Sequence, residues 1–130
     1  MMTIHHIGYL VKKIDRAIDT FVRLGYTIVQ PTIRDMHRKI DVCFIAKDGY
    51  TVELVSPFSK ESVVAGILKK LRNAPYHICY KVSDIDTVCT ELQQEGYVLC
   101  AESHEAVACN GKQVCFLVHP YLGMIELLEQ

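Results

Sequence analysis

Hydrophobic and polar residues alternate along the first stretch of the chain and then change to helical spacing. Residues 3–11 alternate as in a β-strand, with Ile7, Tyr9 and Val11 on one face. Residues 14–24 carry apolar side chains three and four positions apart, which form a single stripe on a helix. A glycine directly after this stretch ends the helix. The pattern therefore predicts a strand followed by an amphipathic helix.

Three further strands are predicted after this helix. Their approximate bounds are 26–33, 40–46 and 50–56, each an apolar or alternating run. The sequence Lys47-Asp48-Gly49-Tyr50 supplies the turn for a hairpin between the last two strands. The first part of the chain is thus predicted to form a β-α-β-β-β module.

An internal repeat relates the first part of the chain to the last part. The matched segments are His6-Ile7-Gly8-Tyr9 over His77-Ile78-Cys79-Tyr80, Gly25-Tyr26 over Gly96-Tyr97, Val42-Cys43-Phe44 over Val114-Cys115-Phe116, and Glu53-Leu54 over Glu126-Leu127. The offset between the copies grows by only two residues, which changes in turn length explain. The repeat therefore predicts a second copy of the same module.

The second copy shows the same order of elements. Strands are predicted near 75–82, 97–102, 113–118 and 123–129. A helix lies between the first two of them, and Ser83 with Asp86 resembles a capping box at its start. Its apolar stripe consists of Ile85, Val88, Cys89 and Leu92. These patterns predict a second β-α-β-β-β module.

The two modules are expected to form a single domain of 130 residues. Module one covers residues 1–57, a linker helix falls within 58–74, and module two covers 75–130. The linker helix is predicted from the spacing of Val63, Val64, Ile67, Leu68 and Leu71. The predicted fold class is α+β, built from two tandem βαβββ modules.

Composition narrows the class of protein. The net charge of −1 argues against a nucleic-acid binder. No apolar run approaches the roughly 20 residues of a transmembrane helix, and no secretory leader is visible, so a cytoplasmic location is expected. We expect the cysteines to be reduced and mostly packed as small apolar groups, since no CxxC motif occurs. They are Cys43, Cys79, Cys89, Cys100, Cys109 and Cys115.

Matched polar residues interrupt the apolar strands. Strand alternation places His5 on the helix side, whereas His6 and His77 point the other way. Glu53 and Glu126 lie within apolar strands, where a carboxylate is costly unless it is paired, protonated or bound to metal. Each of the four has an ordinary structural explanation when taken alone. Their matched positions make them a candidate ligand set, which suits Zn, Mn, Fe, Co or Ni.

With these features the sequence resembles the vicinal-oxygen-chelate superfamily, which includes glyoxalases and bleomycin-resistance proteins. In that superfamily each of the two paired modules contributes one His and one Glu. The resemblance is nearest to methylmalonyl-CoA epimerase-like members. It implies a glyoxalase-like fold, a mixed sheet that lines a cavity, and one divalent metal ion bound by His6, Glu53, His77 and Glu126. The motifs that carry it are Ile4-His5-His6-Ile7-Gly8, Val52-Glu53-Leu54-Val55-Ser56-Pro57, Ser62-Val63-Val64-Ala65-Gly66-Ile67-Leu68, Tyr76-His77-Ile78-Cys79, Asn110-Gly111-Lys112-Gln113-Val114 and Ile125-Glu126-Leu127.

The function that the resemblance implies is that of a metal-dependent isomerase or lyase. Its substrate would be a small carbonyl compound or acyl thioester, processed through a metal-stabilised enolate or enediolate, as in methylmalonyl-CoA epimerase or lactoylglutathione lyase. Glu126 is hypothesised to be both ligand and base. The epimerases have a second acidic residue ahead of the third strand; here His37 or Asp35 is the candidate acid. A homodimer is also implied.

Two other functions stay open. A non-catalytic small-molecule-binding or antibiotic-resistance protein of the same fold commonly lacks ligand residues, whereas all four are present here. An Fe(II) dioxygenase binds its iron with two histidines and one carboxylate. The presence of two histidines and two glutamates here disfavours that class. Two basic groups either hold an anionic substrate or form a solvated face. They are Lys69, Lys70 and Arg72, and Arg34, Arg38 and Lys39.

Overall fold

The computed structural model describes residues 2–130. The chain divides into two compact units. The N-terminal unit consists of Ile7–Tyr76, and the C-terminal unit consists of residues 2–6 together with His77–Gln130. Residues 2–6, which the repeat assigned to module one, are thus grouped with the C-terminal unit.

Helices and strands follow the predicted order, and the α+β class with two βαβββ modules is confirmed. The first module and the linker contain β1 (Thr3–Leu10), α1 (Ile14–Arg23), β2 (Thr27–Asp35), β3 (Ile40–Lys47), β4 (Tyr50–Pro57) and α2 (Val63–Leu71). The second module contains β5 (Ala74–Val82), α3 (Ile85–Gln94), β6 (Val98–Ala106), a short 3₁₀ turn (Val107–Cys109), β7 (Lys112–His119) and β8 (Gly123–Glu129).

The N-terminal unit has a mixed sheet with the strand order β2-β3-β4-β1. Its first three strands are antiparallel, whereas β4 runs parallel to β1. The amphipathic stripe of α1 packs on this sheet, where Ile14 joins Val11, Ile45 and Leu54 in one apolar cluster. Removal of this apolar area from water is what holds the helix on the sheet.

The C-terminal unit repeats this arrangement. Its strand order is β6-β7-β8-β5, with β8 parallel to β5 and the other pairs antiparallel. The helix α3 packs through Ile85 against Val82, Leu117 and Leu127. The same chain pattern has therefore produced the same helix-on-sheet packing twice.

Strand register shows that the repeat is structural as well as sequential. In the N-terminal unit Glu53 lies opposite Gly8 on the parallel partner and opposite Phe44 on the antiparallel partner. In the C-terminal unit Glu126 has the equivalent partners, Cys79 and Phe116. Because one residue of slip would turn a side chain to the other face, the two glutamates occupy equivalent positions on equivalent faces.

Two local details differ from the sequence predictions. The strand β6 extends to Ala106 because two register irregularities let it continue along β7. The cap of α3 is Asp84, whose carboxylate accepts from the backbone N–H of Thr87 at 3.2 Å. The expected capping box of Ser83 and Asp86 is therefore wrong by one residue, because the helix begins at Ile85.

Two further features concern the cysteines and the helices of residues 2–130. The six cysteines in this range form no disulfide, and four of them are buried, as expected of small apolar groups. None of the helices described has the length and apolar character that a transmembrane span requires.

Candidate metal centre

Three buried polar side chains of the C-terminal unit converge from three strands. His6 projects from β1, His77 from β5 and Glu126 from β8. Their exposed fractions are 1%, 4% and 1%, respectively, so water does not solvate them. Strand alternation explains the convergence, because the residues before and after each of the three point to the opposite face of the sheet.

The nitrogen and oxygen atoms of this trio lie close together. The Nε2 atoms of His6 and His77 are 3.3 Å apart. Oε1 of Glu126 lies 3.1 Å from Nε2 of His6 and 3.0 Å from Nε2 of His77. One carboxylate oxygen therefore faces two imidazole nitrogens, and the three atoms form a nearly equilateral triangle.

This triangle fits the donor spacing of a metal site. Ligand atoms about 2.0–2.1 Å from one zinc-like ion, at angles between octahedral and tetrahedral, are roughly 3.0–3.4 Å apart. The three separations, from 3.0 to 3.3 Å, fall in this range. Two imidazoles and one carboxylate are also donor types that bind Zn, Fe, Co, Ni or Mn. The residues present thus suit a divalent ion.

The electrostatics of Glu126 suit a ligand. Burial alone raises the pKa of this carboxyl, but the hydrogen bonds and charges of His6 and His77 outweigh that effect. The pKa of Glu126 therefore lies below its ordinary value of 4.5. The group is ionised at neutral pH, as a metal ligand must be.

Acidification is expected to cost the metal-free protein stability through Glu126. Because its folded-state pKa is lowered, the carboxylate contributes stability that is fully present above the ordinary value of 4.5 and is lost as the pH falls through the folded value. Urea unfolding at a series of pH values should therefore show a steeper loss of unfolding free energy as the pH falls below 4.5 for the wild type than for Glu126→Gln. Equal slopes would contradict this linkage.

His5 supports the orientation of its neighbour. The Nδ1 atoms of His5 and His6 are 2.8 Å apart, so one donates a hydrogen bond to the other. Because Nδ1 of His6 is engaged by His5, Nε2 is the ring nitrogen that faces Glu126 and is available to a metal ion. The sequence patterns assigned no such role to His5; the adjacent histidine pair was the only signal for it.

The donor atoms of Cys79, His5 and His6 all lie within 4.8 Å of one another. Cys79 is completely buried on β5, two residues beyond His77. Its position beside the trio places it at the edge of the candidate centre, and the ring of Phe116 closes another side, 5.4 Å from the ring of His77.

Glu53 belongs to the N-terminal unit. It lies in the middle of β4 with 3% of its surface exposed, between the strands that carry Gly8 and Phe44. A carboxylate buried this deeply in an apolar strand needs compensation from a hydrogen bond, a proton or a metal. Its register is the same as that of Glu126, as the repeat predicted.

The two candidate acids lie on one connection of the N-terminal unit. Asp35 is the last residue of β2 and is buried, and its Oδ1 accepts a hydrogen bond from the backbone N–H of Arg38 at 3.0 Å. This bond stabilises the turn into β3. His37 lies within that turn and is exposed. Their proposed roles in proton transfer stay predictions.

The family model described as Glyoxalase/Bleomycin resistance protein/Dioxygenase superfamily matches residues 5–116. The chain belongs to this superfamily, and the family resemblance inferred from the repeat is thereby confirmed.

Several known proteins are similar over nearly the whole chain. The ethylmalonyl-CoA/methylmalonyl-CoA epimerase of Cereibacter sphaeroides is 29% identical over 131 residues, which cover 98% of this chain and 96% of that protein. The crystal structure of methylmalonyl-CoA epimerase from Mycobacterium tuberculosis matches with a TM-score of 0.82 at 27% identity, covering 97% of this chain and 86% of that one. Hypothetical protein BH1468 from Bacillus halodurans C-125 has a TM-score of 0.85 at 24% identity, covering 99% and 94%, respectively.

Proposed function

We propose that the protein is a metal-dependent isomerase of the epimerase kind, acting on an acyl-CoA thioester such as methylmalonyl-CoA. The observation that carries the proposal is the convergence of His6, His77 and Glu126 in a chain that is similar to methylmalonyl-CoA epimerases along almost its entire length. Relatives with this activity favour an epimerase over a binding protein or a dioxygenase.

Four residues are proposed to hold the metal ion: His6, His77, Glu126 and Glu53. Support for the fourth comes from the repeat, because Glu53 has the burial and the strand register of Glu126 in the other module. A divalent ion bound there would supply Lewis-acid polarisation of a substrate carbonyl oxygen. The ion is one of Zn, Co, Ni, Mn or Fe.

The residues of the chain would handle the protons. Glu126 is proposed to remove the proton from the carbon next to the thioester carbonyl, and a second group returns one to the opposite side. His37 is the better candidate for that second group, because it is exposed and can exchange protons with water. Asp35 is the alternative, although one oxygen already accepts the turn hydrogen bond from Arg38.

Deuterium exchange tests this proposal. The metal-reconstituted protein should catalyse incorporation of deuterium from D₂O at the carbon between the two carbonyl groups of methylmalonyl-CoA. NMR or mass spectrometry measures this incorporation. The same preparation should be tested with the hemithioacetal of methylglyoxal and glutathione. Exchange without loss of hemithioacetal supports an epimerase; the reverse pattern would assign a lactoylglutathione lyase. The absence of both activities in a protein that holds stoichiometric metal would contradict the proposal.

Replacement of His5 by alanine is expected to weaken metal binding by about 10-fold, the lower range for groups that orient a metal ligand. The reason is the loss of the hydrogen bond at 2.8 Å that fixes the ring of His6. Competition with a chelator of known affinity measures the change. His119→Ala, on β7 of the same unit, is the matched control. Unaltered affinity in His5→Ala would show that His6 needs no support from its neighbour.

The homodimer and the cytoplasmic location belong to the same proposal. The family resemblance implies the homodimer, and the cytoplasmic location stays a prediction. Light scattering coupled to size-exclusion chromatography should give the mass of two chains for the metal-loaded protein. A monomer that retains exchange activity would show that one chain is sufficient.

A further inference from the structure

A cavity of about 500 Å³ opens beside α1 in the N-terminal unit. Its floor is apolar and includes Tyr9, Ala17 and Phe21. Its rim is basic and is formed by Lys12, Lys13 and Arg16. Tyr9 projects to the helix-covered face of β1, opposite to the face on which alternation places His6. The cavity is therefore separate from the candidate metal centre.

A second cavity of about 390 Å³ adjoins the first. Both are lined by Lys12 and Asn73, and the backbone N–H of Lys12 donates to Oδ1 of Asn73 at 2.9 Å. The second cavity adds Lys69 and Arg72 from the end of α2. Among the lining residues that the structure describes, no carboxylate accompanies these five cations.

These cations differ from the other basic group identified in the sequence. The guanidinium of Arg34 forms a two-pronged pair with Asp41, and Lys39 pairs with Glu61. Within residues 2–130, the basic side chains that line the two cavities form no ion pair. Their charge is therefore available to an anion from outside the chain, which would also relieve their mutual repulsion.

The repeat shows that the fold does not require this charge. At the positions equivalent to Lys12, Lys13 and Arg16, the second module carries Ser83, Asp84 and Thr87. The two modules have the same helix-on-sheet packing, so a basic rim is not needed to dock the helix. The first module is basic at this rim, whereas its copy is neutral to acidic.

The backbone of Arg72 gives an independent indication. This residue ends α2 with φ 61° and ψ −148°, a region that glycine adopts easily and other residues avoid. A glycine would relieve the strain at no cost in packing, since this residue is exposed. Arg72 keeps this strained conformation at a position that also lines the second cavity.

We propose that the two adjoining cavities bind a small organic phosphate with an aromatic or apolar body. The body lies on the floor formed by Tyr9, Ala17 and Phe21. The phosphate lies among the basic side chains near Asn73, where arginine and lysine supply charge-assisted hydrogen bonds. Phosphate is favoured over a single carboxylate because five cations line the two adjoining cavities, which suits a dianion.

The probe for this site is 1-naphthyl phosphate, which contains both required parts. Binding is followed by amide chemical shifts in ¹⁵N-labelled protein. We expect saturable shifts confined to α1, the end of α2 and Asn73, with an affinity at least 10-fold above that of 1-naphthol or of inorganic phosphate. Higher salt should weaken binding. Equal affinity for 1-naphthol and its phosphate, or shifts located elsewhere, would overturn the proposal.

Two variants test the assigned cations. Arg16→Ala should weaken binding of 1-naphthyl phosphate by at least 10-fold, whereas Arg23→Ala, on the same helix but outside the cavity, should leave it unchanged. Arg72→Gly should also weaken binding while the melting temperature stays level or rises, because the backbone strain is removed. Unaltered binding in both Arg16→Ala and Arg72→Gly would overturn the proposal.

Discussion

His77→Ala is expected to lose stoichiometric metal and to bind a divalent ion at least about 100-fold more weakly than the wild type, the upper range even for groups that only orient ligands. The imidazole contributes one of three donor atoms that lie 3.0–3.3 Å apart. Its loss leaves Glu126 with a single imidazole partner. Competition with a chromogenic chelator, together with elemental analysis of the purified variant, measures the change.

The matched control is His104→Ala in the same unit, on β6 outside the trio. It should retain the wild-type metal content and affinity. Far-UV circular dichroism and thermal unfolding establish that both variants fold. A folded His77→Ala protein that binds one ion as tightly as the wild type would exclude His77 as a ligand.

Glu126→Gln is expected to reduce exchange of the substrate proton by about 10²- to 10⁴-fold, the usual contribution of a general base. The amide that replaces the carboxylate cannot accept the proton. The variant also loses the ionised oxygen that faces both imidazoles. Deuterium incorporation into methylmalonyl-CoA under saturating substrate and metal measures the effect.

Metal content separates the two roles of Glu126. A variant that keeps its metal but loses exchange identifies Glu126 as the base, whereas loss of both shows that the ligand role dominates. Glu105→Gln, an exposed strand glutamate on β6, is the control and should retain both properties. Full turnover by metal-loaded Glu126→Gln would remove Glu126 from proton transfer.

Hydrophobic period and repetition were sufficient to predict the order of elements. The apolar stripe of α1 and the alternation of β1 each follow a single period, so their bounds agree with the structure to within a residue. The end of β6 was not predictable, because its irregular register with β7 depends on partner strands that local sequence does not specify. The cap of α3 was misplaced because Ser83 and Asp84 are both good N-cap residues.

The candidate site was predictable where it depends on strand alternation. His6 was distinguished from His5 by the parity of its position, and the repeat selected His77 and Glu126. The contact between the Nδ1 atoms of His5 and His6 was not predictable, since it depends on side-chain rotamers. The roles of Asp35 and His37 depend on the geometry of the turn between β2 and β3. The internal repeat gave no matched residues from which that geometry could be predicted.

The basic residues show a similar limit. The sequence identified two groups of basic residues, either of which could bind an anion. Only the ion pairs in the folded structure distinguish the two groups. Arg34 is engaged by Asp41 across neighbouring strands and stacks over the ring of Phe58 at 4.2 Å. Lys69 and Arg72 have no such partner among residues 2–130. Long-range pairing of this kind is set by strand register, which composition and charge alone do not reveal.

Anomalous diffraction from crystals of the metal-reconstituted protein tests the metal centre most directly. Data collected at the absorption edge of the bound metal should show one strong peak per chain, coordinated by Nε2 of His6, Nε2 of His77 and Oε1 of Glu126. A carboxylate oxygen of Glu53 should complete the protein ligands. No peak at this position after reconstitution, or a single peak at other residues, would contradict the assignment.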